Sequence, residues 1–292
     1  MNKITIFVLV ITYFNTFSQK IYLYDIESKS HIEFVNATYF INNEIIGGDY
    51  TDMNGFLEIK DKVTFDYIEF TALGYENLKI NNNDIKNEIF LTRRTYVLDE
   101  IIVTNKNIVT IGSIDEKKKI SVGIGKGIEQ VFYIENNLNK TLLVKSFLFK
   151  VDKVKKKTAV RVHLYGLSAN KFEPGDELIQ SEIIHYLDEK TKGIIEIDVS
   201  DHGLEIPLNG VFVGLEAMGN INDSDGSFIE EESQDGSLVR YEVNYSYNKP
   251  ISFIRNRFYD KTWSNSQFLK NQLTHIKSVN YPNASFGIKV YE

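Results

Sequence analysis

The chain has 292 residues, of which 33 are Lys or Arg and 40 are Asp or Glu, so its formal net charge is −7. This acidic balance argues against a nucleic-acid partner, because phosphates favour a face rich in Lys and Arg. Cysteine is absent, which excludes disulfides and a lipid anchor attached through cysteine, so stability must come from packed cores. The length favours two domains over one.

The first residues have the pattern of a secretory signal peptide. Lys3 supplies the positive charge, Ile4–Phe14 form a short apolar run, and Thr16 and Ser18 place small residues before a cleavage site. The run is shorter than the roughly 18 residues that span a bilayer. We therefore expect removal of residues 1–18 and an exported protein, in the periplasm or at the outer membrane or cell surface. No second long apolar stretch follows, which predicts no transmembrane segment in the mature chain.

Strand patterns run through the rest of the chain. Branched and aromatic residues alternate with polar ones, as in IYLYDI (21–26) and FGIKVYE (286–292), and clusters of Asn, Asp, Gly and Lys separate such segments. The nearest helical pattern, at 264–276, is short. The sequence therefore predicts an all-β protein.

A boundary is predicted where the apolar pattern is diluted by the sequences TNKN and DEKKK. It separates a first domain at 19–104 from a second domain at 120–292, with a linker at 105–119.

The first domain carries a connected series of motifs. YTDMNGFLEI (50–59) predicts a tight turn feeding a strand, because Asp52 and Asn54 can bond their own backbone and Gly55 can take a positive φ. YIEFTALGYENLKI then breaks at Gly74, and NEIFLTRRTYVLDEIIV closes the unit.

Over residues 21–103 this order resembles the carboxypeptidase-regulatory-like domain of Bacteroidetes proteins. The resemblance implies a transthyretin-like sandwich of about seven strands, a module found on receptors, peptidases and surface proteins. It departs from the family at Ile41–Gly48, where the family often has a shorter run. The matching residues are Thr51, Asp52, Gly55, Phe56, Phe70, Leu73, Gly74, Tyr75 and Leu98 to Val103.

The family name does not imply an activity. In a metallocarboxypeptidase, zinc is held in a separate α/β domain by an H-x-x-E pair and a distant His. His202 and Glu205 match H-x-x-E formally, but they lie in a loop with Gly and Pro between two predicted strands. We therefore expect no catalytic residues and no enzyme.

The second domain is predicted to be a larger antiparallel sandwich. VRVHLYGL (160–167) alternates inward-facing valines and leucine with outward-facing Arg161 and His163, and VFVGLEAM (211–218) is an apolar strand. The order of strands resembles jelly-roll domains that follow regulatory-like domains in secreted Bacteroidetes proteins. The predicted architecture is a seven-stranded transthyretin-like sandwich followed by a jelly-roll-like sandwich.

One acidic loop suggests calcium. NINDSDGSFIEEE (220–232) places Asp223 and Asp225 at the third and fifth positions of an EF-hand-like loop and Glu232 at the twelfth. Ile221 occupies the first position, where its side chain cannot bind a hard cation. A solvated hairpin tip is the favoured alternative, and no other cofactor is expected.

A sugar-stacking platform is predicted around the single tryptophan. Trp263, Tyr259 and Phe258 lie close together in RFYDKTWSNSQF, and aromatic rings of sandwich domains often contact glycans. The alternative is that Trp263 fills a core or covers the end of a strand.

The segment Leu98 to Thr104 has two interpretations. In outer-membrane receptors a similar segment pairs with the energising protein TonB as an added strand, which predicts a docking strand. The favoured alternative is that Ile101 to Thr104 form the last strand of the first domain or a strand that links the two sandwiches. The docking strand would comprise Leu98, Asp99, Glu100, Ile101, Ile102 and Val103.

The sequence as a whole predicts a non-enzymatic, secreted protein of the cell envelope that acts as an interaction or scaffold module. Its partner would be an envelope protein or a glycan, and not a nucleic acid. The alternative function is a glycan-binding module of a nutrient-acquisition system.

Overall fold

The computed structural model describes residues 19–60, 63–94, 107–114, 120–229, 236–273 and 278–292. This part of the chain consists almost entirely of β-strands, with one short α-helix, α1 (Gln267–Gln272). The strands form two sandwiches, each made of two sheets. The all-β prediction is therefore confirmed.

The first sandwich contains seven strands, as predicted. One sheet has the order β4-β1-β7 and the other has the order β3-β2-β5-β6. Strand β1 pairs antiparallel with β4 and parallel with β7. The strands are β1 (Gln19–Asp25), β2 (Asn36–Ile41), β3 (Glu44–Tyr50), β4 (Phe56–Ile59), β5 (Tyr67–Thr71), β6 (Leu78–Asn81) and β7 (Glu88–Leu91).

Period-two alternation builds the core of this sandwich. In β1, Ile21 and Leu23 are fully buried between the sheets. Tyr22 and Tyr24 belong to the opposite face, because successive side chains of a strand point to opposite sides. The four-stranded sheet contributes Ile68 and other apolar residues to the same core.

The predicted tight turn links β3 to β4. The Asp52 carboxylate accepts backbone N–H bonds from Asn54 at 2.8 Å and from Phe56 at 3.0 Å. Gly55 has a φ of +68°, and a Cβ atom there would lie 2.8 Å from the carbonyl oxygen of Leu23. Only glycine meets both constraints without strain.

The second sandwich packs a seven-stranded sheet against an eight-stranded sheet. The first has the order β13-β12-β17-β10-β19-β20, with β14 also paired to β12. The second has the order β21-β18-β11-β22-β8, with β15 and β16 on β11 and β9 on β18. The strands are β8 (Ile108–Gly112), β9 (Ile120–Ile124), β10 (Ile128–Ile134), β11 (Leu142–Val154), β12 (Thr158–Leu167), β13 (Pro174–Glu177), β14 (Ile184–Leu187), β15 (Gly193–Asp198), β16 (Glu205–Ile206), β17 (Val211–Asn220), β18 (Val239–Tyr247), β19 (Ser252–Asn256), β20 (Asp260–Asn265), β21 (Tyr281–Ala284) and β22 (Phe286–Tyr291).

Part of the predicted linker is a strand, β8. It lies within 105–119, yet residues 108–112 pair in register with β22 of the second sandwich. The pattern IVTIG is short and is flanked by polar clusters, which is why the sequence alone suggested a linker. In the described part of the chain, no helix is long and apolar enough to cross a membrane.

The two sandwiches pack against each other through the outer face of the seven-stranded sheet. Alternate residues of β12 and β17 enter the core of the second sandwich, whereas Ala159 and Met218 face the first sandwich. There they join Phe34 and Tyr50 of the first sandwich in a separate buried apolar cluster. An outward-facing strand surface of the second sandwich is therefore covered by the first.

Candidate functional site

A set of buried and half-buried charged side chains lies beside this contact, and we call it the charged junction. It occupies the outer face of the seven-stranded sheet and extends to the loops at its edge. The charges of its four acidic and four basic members cancel when the histidine is protonated. They are Glu129, Glu177, Glu182, Glu216, Arg161, His163, Arg255 and Arg257.

Glu216 on β17 lies at the centre of the charged junction. Its carboxylate accepts bonds from Arg161 at 3.1 Å and from Nε2 of His163 at 2.9 Å, and lies 3.2 Å from Nε of Arg257. The hydroxyl of Tyr50, from the first sandwich, donates to the same carboxylate. Burial alone would raise the pKa of Glu216, but Arg257 and Arg161 hold it well below its usual value. Glu216 is therefore a buried anion shared by both sandwiches.

Glu129 on β10 forms the second centre. Its carboxylate accepts bonds from Arg255 at 2.8 Å and from Arg257 at 3.1 Å. Burial would raise its pKa, yet His163 and the two arginines lower it to about 2. Both arginines also donate to the hydroxyl of Tyr165, at 2.7 Å and 3.2 Å. This network of charge-assisted bonds holds β10, β12 and β19 in one arrangement.

His163 connects two carboxylates. Its Nδ1 lies 2.7 Å from Glu177 and its Nε2 lies 2.9 Å from Glu216, so the protonated ring donates to both. Burial alone would lower the pKa of His163, but the negative charges of Glu129 and Glu177 outweigh burial and raise it to about 9. The imidazolium is thus the stable form at neutral pH, and both ring nitrogens are engaged.

Arg161 joins the charged junction to the first sandwich. Its guanidinium donates to the carbonyl oxygen of Phe34 at 2.6 Å and pairs with Glu182 at 2.5 Å. Glu182 in turn accepts the backbone N–H of Leu73, in the first sandwich, at 2.8 Å. One buried cation and its partner therefore tie two separate segments of the first sandwich to the second.

A cleft of about 740 Å³ lies at another part of the contact between the sandwiches. Phe56 and Glu58 line it from the first sandwich, and Phe228 lines it from the second. Nζ of Lys126 pairs with the carboxylate of Asp49 in its wall and lies 4.2 Å from the centre of the Phe228 ring. Its size is that of a small-molecule site, and its lining mixes rings with polar groups.

The structure separates the three predicted sugar-binding rings. Phe258 is only 5 % exposed, and its ring packs 4.8 Å from that of Tyr50 between the two sandwiches. Tyr259, the next residue, is 68 % exposed. Trp263 on β20 is half-buried, with the Arg255 guanidinium 4.1 Å from its ring centre and Tyr165 against its edge. Phe258 is thus removed from the predicted platform by its burial, and for Trp263 and Tyr259 glycan contact stays a prediction.

The predicted calcium residues have other partners. The carboxylate of Asp223 accepts a bond from Lys157 at 2.6 Å, and that of Asp225 accepts two from Ser227, which lower its pKa. The backbone carbonyl of Asp225 accepts a bond from Asn54 of the first sandwich at 2.7 Å. Glu232 lies outside the described residues, and within them no three His, Asp or Glu residues are placed to hold a metal. Calcium binding here stays a prediction.

Two further sequence candidates are the docking strand and the H-x-x-E pair. The docking strand from Leu98 to Val103 lies outside the described residues, as does the signal peptide. His202 and Glu205, the formal H-x-x-E pair, are both exposed to solvent.

Sequence reasoning missed the charged junction, although one signal was present. Arg161 and His163 were correctly placed on the outward face of their strand, where solvent was the expected neighbour. Glu216 interrupts the apolar strand VFVGLEAM, and a charge inside such a run indicates a buried partner. That partner could not be identified, because it comes from segments distant in sequence.

Comparison with known proteins gives little further information. No protein-family model matches the chain, and no curated protein matches it. Among solved structures, the cysteine protease and lectin-like domains of Cwp84, a surface-layer associated protein of Clostridium difficile, match with 10% identity and a TM-score of 0.39. This match covers 89% of the present chain and 58% of that chain, so the present chain spans less than two thirds of its length.

A second structure, a variant of the same clostridial cysteine protease after propeptide cleavage, matches with 9% identity and a TM-score of 0.40 over 95% of this chain and 71% of that one. Similarities of this size do not establish a common fold, and they carry no argument about function.

Proposed function

We propose that this protein is a non-enzymatic interaction or scaffold module of the bacterial cell envelope, exported by its N-terminal signal peptide. The observation that carries the proposal is the charged junction. Domains joined only by a linker usually move relative to each other. Here two buried charge-assisted hydrogen bonds, from Tyr50 to Glu216 and from Arg161 to the carbonyl of Phe34, oppose such motion. Two sandwiches held in one arrangement present fixed surfaces to a partner.

The non-enzymatic part of the proposal is supported by the state of the titratable groups. His163 and Glu216 would be the natural acid and base of a catalytic site. They are 1 % and 0 % exposed, and each forms hydrogen bonds with several protein groups. A general acid or base must lie within hydrogen-bond reach of its substrate, and groups buried to this degree offer no such access.

We also propose that the first sandwich is a carboxypeptidase-regulatory-like domain. Its seven strands in two sheets and the observed Asp52–Gly55 turn support this assignment. The assignment concerns the fold of the first sandwich, not an activity.

A co-sedimentation assay tests the interaction function. The purified mature chain is mixed with isolated bacterial outer membranes and cell walls, which are either untreated, digested with protease or oxidised with periodate. A protein partner predicts binding that protease abolishes and periodate leaves intact. Failure to sediment with any untreated preparation would contradict the interaction function.

The same assay tests the predicted docking strand. A chain lacking residues 98–104 loses its protease-sensitive binding if this segment docks the partner. Binding equal to that of the full chain would assign the segment to architecture instead.

Glycan binding is the second candidate function, and the cleft between the sandwiches favours it. Half-buried rings and polar groups line the same space, a combination suited to sugars, which have both apolar faces and hydroxyls. This function predicts sedimentation that periodate abolishes and protease leaves intact.

A further inference from the structure

The outer face of the three-stranded sheet carries a continuous row of rings, which we call the aromatic face. Register places Tyr22 of β1 opposite Phe56 of β4, and Tyr24 of β1 opposite Phe90 of β7. Ring centres lie 5.2 Å apart in the first pair and 5.4 Å apart in the second. His31 bridges the two tyrosines, at 6.1 Å from Tyr22 and 4.7 Å from Tyr24.

These rings contact one another but remain open to solvent. Tyr22 is 36 % exposed and Phe90 is 38 % exposed, whereas Ile21 and Leu23, the alternate residues of β1, fill the core. In the described part of the chain, the hydroxyls of Tyr22 and Tyr24 bond to no protein group. Contiguous exposed apolar surface is a feature of ligand-binding and interaction sites.

The chemistry of the surface selects the class of ligand. Flat ring faces bind ligands with apolar C–H faces, and the two phenol hydroxyls bind ligands rich in hydroxyls. The exposed rim carries both signs of charge, because it includes Lys20, Lys29 and Glu88. It therefore lacks the strong positive potential that would attract a polyanion. A neutral carbohydrate combines both features, whereas a nucleic acid would meet a chain of net charge −7.

The aromatic face also leads into the cleft described above. Phe56 belongs to both, because its ring packs on Tyr22 and also lines the cleft. Inside the cleft, the Asp49–Lys126 pair supplies an acceptor and a donor beside the Phe228 ring. We infer that a neutral oligosaccharide lies along the aromatic face with one end in the cleft. This inference rests on the glycan-binding function and assigns it to the first sandwich, away from Trp263.

Affinity electrophoresis tests the inference. The chain is run through gels containing soluble starch, mannan, mixed-linkage β-glucan or arabinoxylan, with dextran sulfate as the anionic comparison. We expect retardation by at least one neutral polysaccharide. Loss of two stacking rings in a Tyr22→Ala/Tyr24→Ala variant should weaken binding about tenfold or more. The controls Tyr259→Ala and Trp263→Ala should bind as the original chain does.

A fluorescent reporter variant gives an independent measurement of binding that keeps an aromatic ring at every position of the aromatic face. Trp263→Phe combined with Tyr24→Trp moves the single tryptophan onto the aromatic face, and its emission should change when the retarding polysaccharide is titrated in. The original chain, with Trp263 on the second sandwich, should show no change.

The outcomes separate the site from the function. Retardation abolished by Trp263→Ala but not by Tyr22→Ala/Tyr24→Ala would overturn the assignment to the aromatic face and leave glycan binding intact. No retardation by any neutral polysaccharide would overturn both. Stronger retardation by dextran sulfate than by every neutral polymer would overturn the proposed ligand class.

Discussion

At the scale of single residues, the charged junction makes Glu216 the most sensitive position. A Glu216→Ala change leaves Arg161, His163 and Arg257 buried without their common anion. We expect the free energy of unfolding to fall by about 3–5 kcal/mol, the usual cost of breaking a buried ion pair. Urea denaturation at neutral pH measures this fall.

The matched control is Glu196→Ala. Glu196 pairs with Lys145 and Lys289 on the surface, where solvent screens the interaction. This change should cost no more than about 1 kcal/mol. Equal losses for Glu196→Ala and Glu216→Ala would contradict a stabilising role for the junction.

His163 predicts a specific dependence of stability on pH. Its pKa in the folded protein, about 9, lies above the ordinary value of 6.5. The stabilisation from the imidazolium is therefore fully present below pH 6.5 and is lost as the pH rises from 6.5 through about 9. Thermal unfolding midpoints should fall across this window. His163→Gln should flatten this part of the profile, and a profile identical to that of the original chain would contradict the assignment.

Phe258 and Tyr259 form a natural pair for comparison, because they are adjacent in sequence but differ in burial. Phe258 fills the space between the sandwiches against Tyr50, so Phe258→Ala should lower the free energy of unfolding by about 3–5 kcal/mol. Tyr259→Ala should change it by no more than about 0.5 kcal/mol. Similar denaturant midpoints for the two variants would show that Phe258 is not a packing residue.

At the scale of elements, two turns that are distant in sequence contact each other. The turn at 52–55 of the first sandwich meets the turn at 222–226 of the second. The N–H of Met53 donates to the carbonyl oxygen of Gly226 at 3.3 Å, and the Asn54 side chain donates to that of Asp225. Both turns are readable from sequence as turns, but their contact is not.

Gly55 gives the test of the first turn. Gly55→Ala should lower the free energy of unfolding by about 1–2 kcal/mol because of the positive φ. Overpacking against the Leu23 carbonyl should lower it by a further ~1–3 kcal/mol. Gly236→Ala is the matched control, because Gly236 also has a positive φ but no atom within 4 Å of the added methyl group. Urea titration should show the larger loss at Gly55, and equal losses would remove the packing argument.

At the scale of the whole molecule, the charged junction should make the two sandwiches unfold together. We expect one calorimetric transition for the original chain. Arg161→Met removes the bonds to Phe34 and to Glu182, and should split this transition into two. Arg255→Met is the control, because Arg255 binds Glu129 and Tyr165 within the second sandwich. It should lower the transition temperature and keep a single transition.

Sequence patterns anticipated the local structure well. Alternation in IYLYDI and VRVHLYGL correctly predicted strands, and the Asp52–Gly55 motif correctly predicted a turn. These features depend on neighbours within a few residues, whose steric and hydrogen-bonding preferences are encoded locally. The failure at β8 has the same origin, since a five-residue strand with polar flanks is defined by its partner β22 more than by its own pattern.

Which strand faces meet solvent was decided only by the tertiary structure. Tyr22 and Tyr24 alternate with buried residues just as Arg161 and His163 do, so strand geometry puts both pairs on faces directed away from the core of their own sandwich. The first pair remains open on the aromatic face, whereas the second is sealed beneath another sandwich. A period-two pattern specifies the side of a strand to which a residue points. What lies on that side depends on segments more than a hundred residues away, such as Phe34 against Arg161, and no local preference encodes that contact.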